Sequence, residues 1–134
     1  MTKNNIWQYE HCTSKCTYNV LFCPKFRRPV LNTGIQRRLK QLLKEQQHTW
    51  HYQLQHVNIS ADCVHLILQC DPTIGIDNLV AKIKGLSART LKKEFPKLNT
   101  RLPNLWTRKR LIISIGPENV DALVQQFFIE QKNV

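Results

Sequence analysis

Cys63 and His65 stand one residue apart inside the apolar run Cys63-Val64-His65-Leu66-Ile67-Leu68. Alternate side chains of an extended chain share a face, so Cys63 and His65 point one way and Val64 and Leu66 the other. A thiolate and an imidazole on one face suit zinc or another borderline metal, whereas hard magnesium prefers oxygen and tolerates a thiolate poorly. The plainer chemistry is a buried cysteine beside a hydrogen-bonded histidine in a sheet, and the spacing alone leaves both open. No tyrosine follows Tyr52, so the second half of the chain offers no phenol as a nucleophile. Cys12 and Cys16 have a zinc-compatible spacing but no matching second pair.

The charge defines the class of partner. Twenty Lys and Arg against nine Asp and Glu leave a formal charge of +11 on 134 residues. Residues 25–50 hold seven basic side chains against Glu45 alone, and residues 82–110 hold ten against Glu94 alone. At the end of the chain Glu118, Asp121 and Glu130 outweigh Lys132. Two basic blocks before an acidic end suit a polyanion, and nucleic acid is the expected partner. No run of eighteen apolar residues is present, so no membrane partner is expected. The N-terminus lacks an apolar signal core, and the odd count of five cysteines points to reduced thiols and a cytoplasmic location. The length predicts one domain spanning residues 1–134.

Elements that would position these groups are legible in the periodicity. Residues 18–23 are rich in strand formers and stop at Pro24. Ile35, Leu39, Leu42 and Leu43 have helical spacing, predicting a helix to about Trp50. Tyr52 to Ile59 and Cys63 to Gln69 read as strands, with residues 60–62 as a hairpin turn. Asp77 is placed to cap a helix ending before Pro96, with Leu79, Val80, Ile83, Leu86 and Leu91 inward. Residues 97–108 read as a proline-broken connection, residues 111–115 as a strand, and Val120 to Gln131 as a last helix. The expected fold class is α+β: a ferredoxin-like β-α-β-β-α-β sandwich with an additional C-terminal helix.

Several stretches, in order, resemble the single-tyrosine HUH transposases, the TnpA-type enzymes of insertion sequences and their REP-associated relatives. Residues 20–31 (Val-Leu-Phe-Cys-Pro-Lys-Phe-Arg-Arg-Pro-Val-Leu) resemble that family's first strand and basic turn. Residues 61–67 (Ala-Asp-Cys-Val-His-Leu-Ile) resemble its Pro-Asp-His-hydrophobic-His-Leu strand. Residues 83–89 with 93–96 resemble its second helix, residues 105–106 and 113–116 fit the segment before its last helix, and residues 128–131 resemble its Tyr-Ile-Glu-Asn/Gln stretch. The resemblance covers roughly residues 16–132. It implies a dimer acting on single-stranded DNA with imperfect hairpins. It also implies a divalent ion, magnesium or manganese, held by two histidines and a glutamine, and a tyrosine that attacks the scissile phosphate.

This chain departs from that pattern where the chemistry resides. Cys63 stands in the position of the first metal histidine and His65 in that of the second. Phe128 occupies the position of the missing tyrosine; sliding by one puts Phe127 there and makes Gln131 the metal glutamine. Neither register supplies a hydroxyl. A deliberate Tyr-to-Phe exchange would account for Phe128, but not for Cys63 or for Ala61 in place of proline. The basic positions persist: Lys25, Arg27 and Arg28 after the first strand; Lys82, Lys84, Arg89, Lys92 and Lys93 on the second helix; Arg108, Lys109 and Arg110 before the fourth strand. Phe26, Trp50 and Trp106 lie near them and are candidates for stacking on unpaired bases.

The expectation is a degenerate, domesticated module that binds structured single-stranded DNA without cutting it, with hairpin RNA as the other polyanion. Binding would need no cofactor, and a divalent metal would matter only for residual activity. A homodimer, or a heterodimer with an active relative, follows from the resemblance. The alternative is an active transposase that uses an unrecognised nucleophile or the partner subunit's tyrosine.

Overall fold

The computed structural model describes residues 2–3, 6–9, 12–14, 16–101, 104–114 and 121–132. Three short strands, β1 (Thr2–Lys3), β2 (Ile6–Tyr9) and β3 (Cys12–Ser14), form an antiparallel sheet of their own that the sequence pattern did not announce. The main sheet consists of β4 (Thr17–Phe22), β5 (Tyr52–Ser60), β6 (Cys63–Cys70) and β7 (Leu111–Ser114), in the order β5-β6-β4-β7 with every pairing antiparallel. The first and third of these strands are central, which is the expected ferredoxin-like arrangement. Ser60 pairs with Cys63, so Ala61 and Asp62 alone make the hairpin turn.

Helices α1 (Thr33–Glu45) and α2 (Ile76–Glu94) cover one face. Val20 and Phe22 of β4 and Val64, Leu66 and Leu68 of β6 pack there, against Leu39 of α1, Leu79 of α2 and their apolar neighbours. Asn32 caps α1, its side chain accepting from the Ile35 amide at 3.0 Å. That helix ends at Glu45, short of the expected Trp50, because the chain turns over residues 46–50 and His51 enters the left-handed region at φ 55°. Asp77 is not the cap of α2. Gly75 precedes the helix, while Asp77 lies in its first turn and pairs with Arg110. Within the expected irregular connection, Lys97–Arg101 forms a short helix, α3.

The opposite face is covered by α4 (Asp121–Lys132), whose Phe127 packs with Leu21, Cys23 and Cys63. The two faces explain the burial of β6. Its even positions enter the main core and its odd positions carry Cys63 and His65 towards the α4 side. A bulge between Leu54 and His56 shifts the parity of β5. Leu54 and Val57 consequently pack on the same core although they are three positions apart, a spacing that a regular strand would send to opposite faces, and His56 comes within 5.8 Å of the His65 ring, centroid to centroid. Residues 115–120, which include Gly116 and Pro117, lie outside the described residues, as do the side chains of Cys12 and of α4 before Val124.

Leu66 is fully buried at the centre of the main core. Leu66→Ala is expected to lower folding stability by about 2–5 kcal/mol, because the cavity adds to the lost transfer free energy. Urea denaturation should show this as an earlier midpoint at unchanged slope.

Candidate functional site

The chain leaves β4 through Pro24 into a single 3-10 turn at Lys25–Arg27. Two successive residues of that turn, Phe26 (φ 59°) and Arg27 (φ 53°), hold left-handed backbone that side chains other than glycine rarely adopt. The result aims Arg27 back under α4. Its Nε lies 3.0 Å from Asp62 Oδ2, its Nη1 donates to Phe128 O at 3.2 Å, and its guanidinium covers the Phe128 ring at 4.7 Å from the centroid. Arg27 therefore joins the basic turn, the β5–β6 hairpin and α4. Phe26 points the other way and is 50% exposed, flanked by Lys25 and Arg28 over its ring.

Cys63 and His65 share the α4-side face, as their spacing predicts. Each is already engaged by a neighbour. His65 Nε2 lies 2.9 Å from Asn19 Oδ1, and burial together with His56 holds the imidazole below its ordinary pKa. The Cys63 thiol donates to Cys23; this hydrogen bond, and then burial, push the Cys63 pKa up, while the same bond pulls the Cys23 pKa down. Gln131 on α4 is 1% exposed, and neither of its amide atoms finds a hydrogen-bond partner among the described residues. That orphaned amide is a feature of this face that asks for a further ligand. The other donors fit a hard divalent ion poorly, because one is a thiol bonded to a second thiol and the other is an imidazole whose nitrogen is held by an amide. No group of three His, Cys, Asp or Glu side chains with metal-binding geometry occurs among the described residues.

Phe127 and Phe128 differ in environment. Phe127 is buried against Cys63, whereas Phe128 is half-buried beside Arg27. Of the two rings, the second carries a guanidinium over its face.

The basic residues separate into two groups. On α2, Lys82, Arg89 and Lys93 are exposed along one face. On an adjoining face Lys84 and Lys92 join Lys25 and Arg108 around a cavity of about 430 Å³ floored by Leu105 and Trp106. Backbone pairing builds this cavity: Thr107 N donates to Cys23 O at 3.0 Å, Lys25 N donates to Leu105 O at 2.9 Å, and Pro24 bridges Trp106. Lys84 Nζ donates to Thr107 O at 2.7 Å and Arg108 O at 3.3 Å, leaving one of its three protons for a ligand. Burial, then Arg110, pushes its pKa down to about 8. Lys109 is exposed, and Arg110 is exposed and ion-paired with Asp77.

Trp106 is not a stacking platform. It is 6% exposed, packs edge-on against Phe22, and its Nε1 donates to Ser87 Oγ at 2.9 Å. Trp50 is also packed against the main core. Phe26 alone of the three offers an open ring. Periodicity did not single out Asn19, which grips His65, or Cys23, which meets Cys63. A signal for Cys23 was present: Cys16 and Cys23 have the same separation as Cys63 and Cys70.

Comparison with known proteins accounts for this architecture. The ISDra2 transposase TnpA of Deinococcus radiodurans is 29% identical over 116 residues, covering 85% of this chain and 82% of its own. The transposase for insertion sequence element IS200 of Salmonella typhimurium is 23% identical over 123 residues, covering 90% of this chain and 80% of its own. A crystal structure from Deinococcus radiodurans R1, assigned as a transposase, superposes with a TM-score of 0.79 at 27% identity over 98% of both chains. The fold is shared further by a REP-associated tyrosine transposase bound to a REP hairpin, with a TM-score of 0.59 at 13% identity over 93% of this chain and 68% of that one. Residues 12–131 match the sequence model of the IS200-like transposases, and the chain belongs to that family.

Proposed function

We propose that this chain is a transposase-family module that binds hairpin-bearing single-stranded DNA and does not cut it. The observation that carries the reading is the convergence of three separate basic segments on one cavity: Lys25 from the turn, Lys84 and Lys92 from α2, and Arg108 from the approach to β7. The exposed row of Lys82, Arg89 and Lys93 extends the positive surface along α2. Phe26 supplies a solvent-facing ring between two cations, suited to an unstacked base. Arg27 and Arg110 have carboxylate partners, so their first role is to hold the scaffold. Loss of chemistry is supported by Phe128 in the tyrosine position and by the thiol and amide that occupy Cys63 and His65. A homodimer, a cytoplasmic location and a single domain are part of the same proposal. Among the described residues no helix is long and apolar enough to cross a membrane.

The deciding experiment places hairpin-bearing and unstructured single strands of equal length on native and denaturing gels, with magnesium or manganese present. A hairpin-selective shift without a covalent adduct is expected. Equal affinity for the two strands would refute structured recognition, and an adduct would refute the loss of cleavage. A second expectation concerns pH. In the folded chain Lys84 loses its proton near pH 8, so affinity should fall between pH 7 and 9, by roughly tenfold for one charge-assisted contact. Lys84→Met should bind more weakly at pH 7 and lose that dependence, as read by fluorescence anisotropy. The unfolded chain binds the additional proton between about pH 8 and the ordinary lysine value of 10.5, so this group makes stability rise with pH in that window and leaves it unchanged below.

A further inference from the structure

Four of the five cysteines form two equal spacings, Cys16 to Cys23 and Cys63 to Cys70. β4 and β6 pair antiparallel from Thr17↔Gln69 to Phe22↔Val64. Continuing that register by one position at each end sets Cys16 opposite Cys70 and Cys23 opposite Cys63. The two pairs are not equivalent, because hydrogen-bonded and non-hydrogen-bonded positions alternate along an antiparallel ladder and side chains lie closer in the latter. Cys70 N donates to Cys16 O at 3.3 Å, which marks a hydrogen-bonded position. Counting along the ladder makes Cys23 and Cys63 a non-hydrogen-bonded pair. In agreement, Cys23 O turns away from β6 and accepts from Thr107 N. The Cys23 and Cys63 thiols are hydrogen-bonded to each other and are 0% and 6% exposed under Phe127. A non-hydrogen-bonded pair holds its Cα atoms about 4.5 Å apart, within the span of a disulfide, so closure requires side-chain rotation without displacement of either strand.

We propose that Cys23 and Cys63 form a redox-modification site that hydrogen peroxide converts into an intramolecular disulfide. The first thiol takes one oxygen from peroxide, becomes a sulfenic acid and releases water. The sulfur of the second thiol then attacks the oxidised sulfur, the S–O bond breaks, and a second water leaves with the remaining thiol proton. Two thiols and one peroxide thus give one disulfide and two waters. Closure ties the end of β4 to the start of β6 beside the Arg27–Asp62 ion pair, and it withdraws the Cys63 sulfur from any metal ion.

The reduced full chain is treated with hydrogen peroxide, unfolded, alkylated, digested and mapped by mass spectrometry. A Cys23–Cys63 peptide is expected as the first product, with loss of two of the five thiols and their return on treatment with dithiothreitol. Cys16 and Cys70 should remain alkylatable at that stage. Cys63→Ala and Cys23→Ala should each abolish the two-thiol loss, while Cys12→Ala should leave it unchanged; a thermal melt establishes that each variant is folded. Closure of Cys16–Cys70 first would overturn the proposal, as would intermolecular disulfides, or sulfinic acid at Cys63 without the link. The unsubstituted chain alone distinguishes these outcomes.

Discussion

Raising salt from 50 to 200 mM should weaken binding of a hairpin-bearing strand by about a thousandfold, the loss expected when about six phosphates are neutralised. The geometry supplies seven cations for that task. Lys82, Arg89 and Lys93 are exposed on one face of α2, and Lys25, Lys84, Lys92 and Arg108 surround the adjacent cavity. Each cation displaces a condensed counterion from the strand, and rising salt removes that entropic gain. Lys93→Ala and Lys25→Ala should therefore weaken binding of all sequences alike and reduce the salt slope by about 0.7–0.9 each. Arg27→Ala should behave differently. It breaks the Asp62 ion pair and uncovers Phe128, so its effect should appear first in the melting of the fold around α4. The measurement is anisotropy across a salt series. An affinity indifferent to salt would remove the nucleic-acid reading altogether.

The second large effect is the return of chemistry. Phe128→Tyr combined with Cys63→His should produce a covalent DNA adduct where the unchanged chain is expected to give none, a gain on the order of a thousandfold or more over background, as expected when a missing nucleophile is restored. The tyrosine hydroxyl would project from a ring already held under the Arg27 guanidinium, whose charge favours the phenolate. An imidazole at position 63 would exchange a soft sulfur ligand for one that magnesium or manganese tolerates better. The exchange has a cost, because Cys63 packs tightly against Cys23 and Phe127, and overpacking of this kind costs about 1–3 kcal/mol. A denaturing gel reads the adduct, and a thermal melt with a native gel shows whether the variant still folds and binds. A folded, DNA-binding double variant without an adduct would locate the block elsewhere, first of all in the hold of Asn19 on His65.

Much of the fold was legible because its periodicities are local. Leu39 and Leu42 recur at helical spacing and Val64, Leu66 and Leu68 alternate, and in the structure all five enter one core. Local reading failed where distant residues decide. Asp77 resembles a helix cap, but Arg110, 33 residues away, draws its carboxylate into an ion pair. Trp106 among lysines and arginines resembles a base-stacking ring, but Phe22 and Ser87 bury it. The change of parity in β5 was visible as Tyr52 and Leu54 followed by Val57 and Ile59, yet only strand pairing turns it into a bulge that brings His56 beside His65.

By itself the sequence determined the α+β order of elements, the shared face of Cys63 and His65, the positive charge and the absence of a tyrosine after Tyr52, because each depends on residue type or on short-range spacing. Only the tertiary structure decided which partners those groups meet. Strand register placed Cys23 against Cys63 and Asn19 beside His65, and the left-handed turn at Phe26 and Arg27 sent one side chain to solvent and the other under α4. The gathering of Lys25, Lys84, Lys92 and Arg108 around one cavity belongs to the same level, since backbone pairing between segments some 80 residues apart creates it.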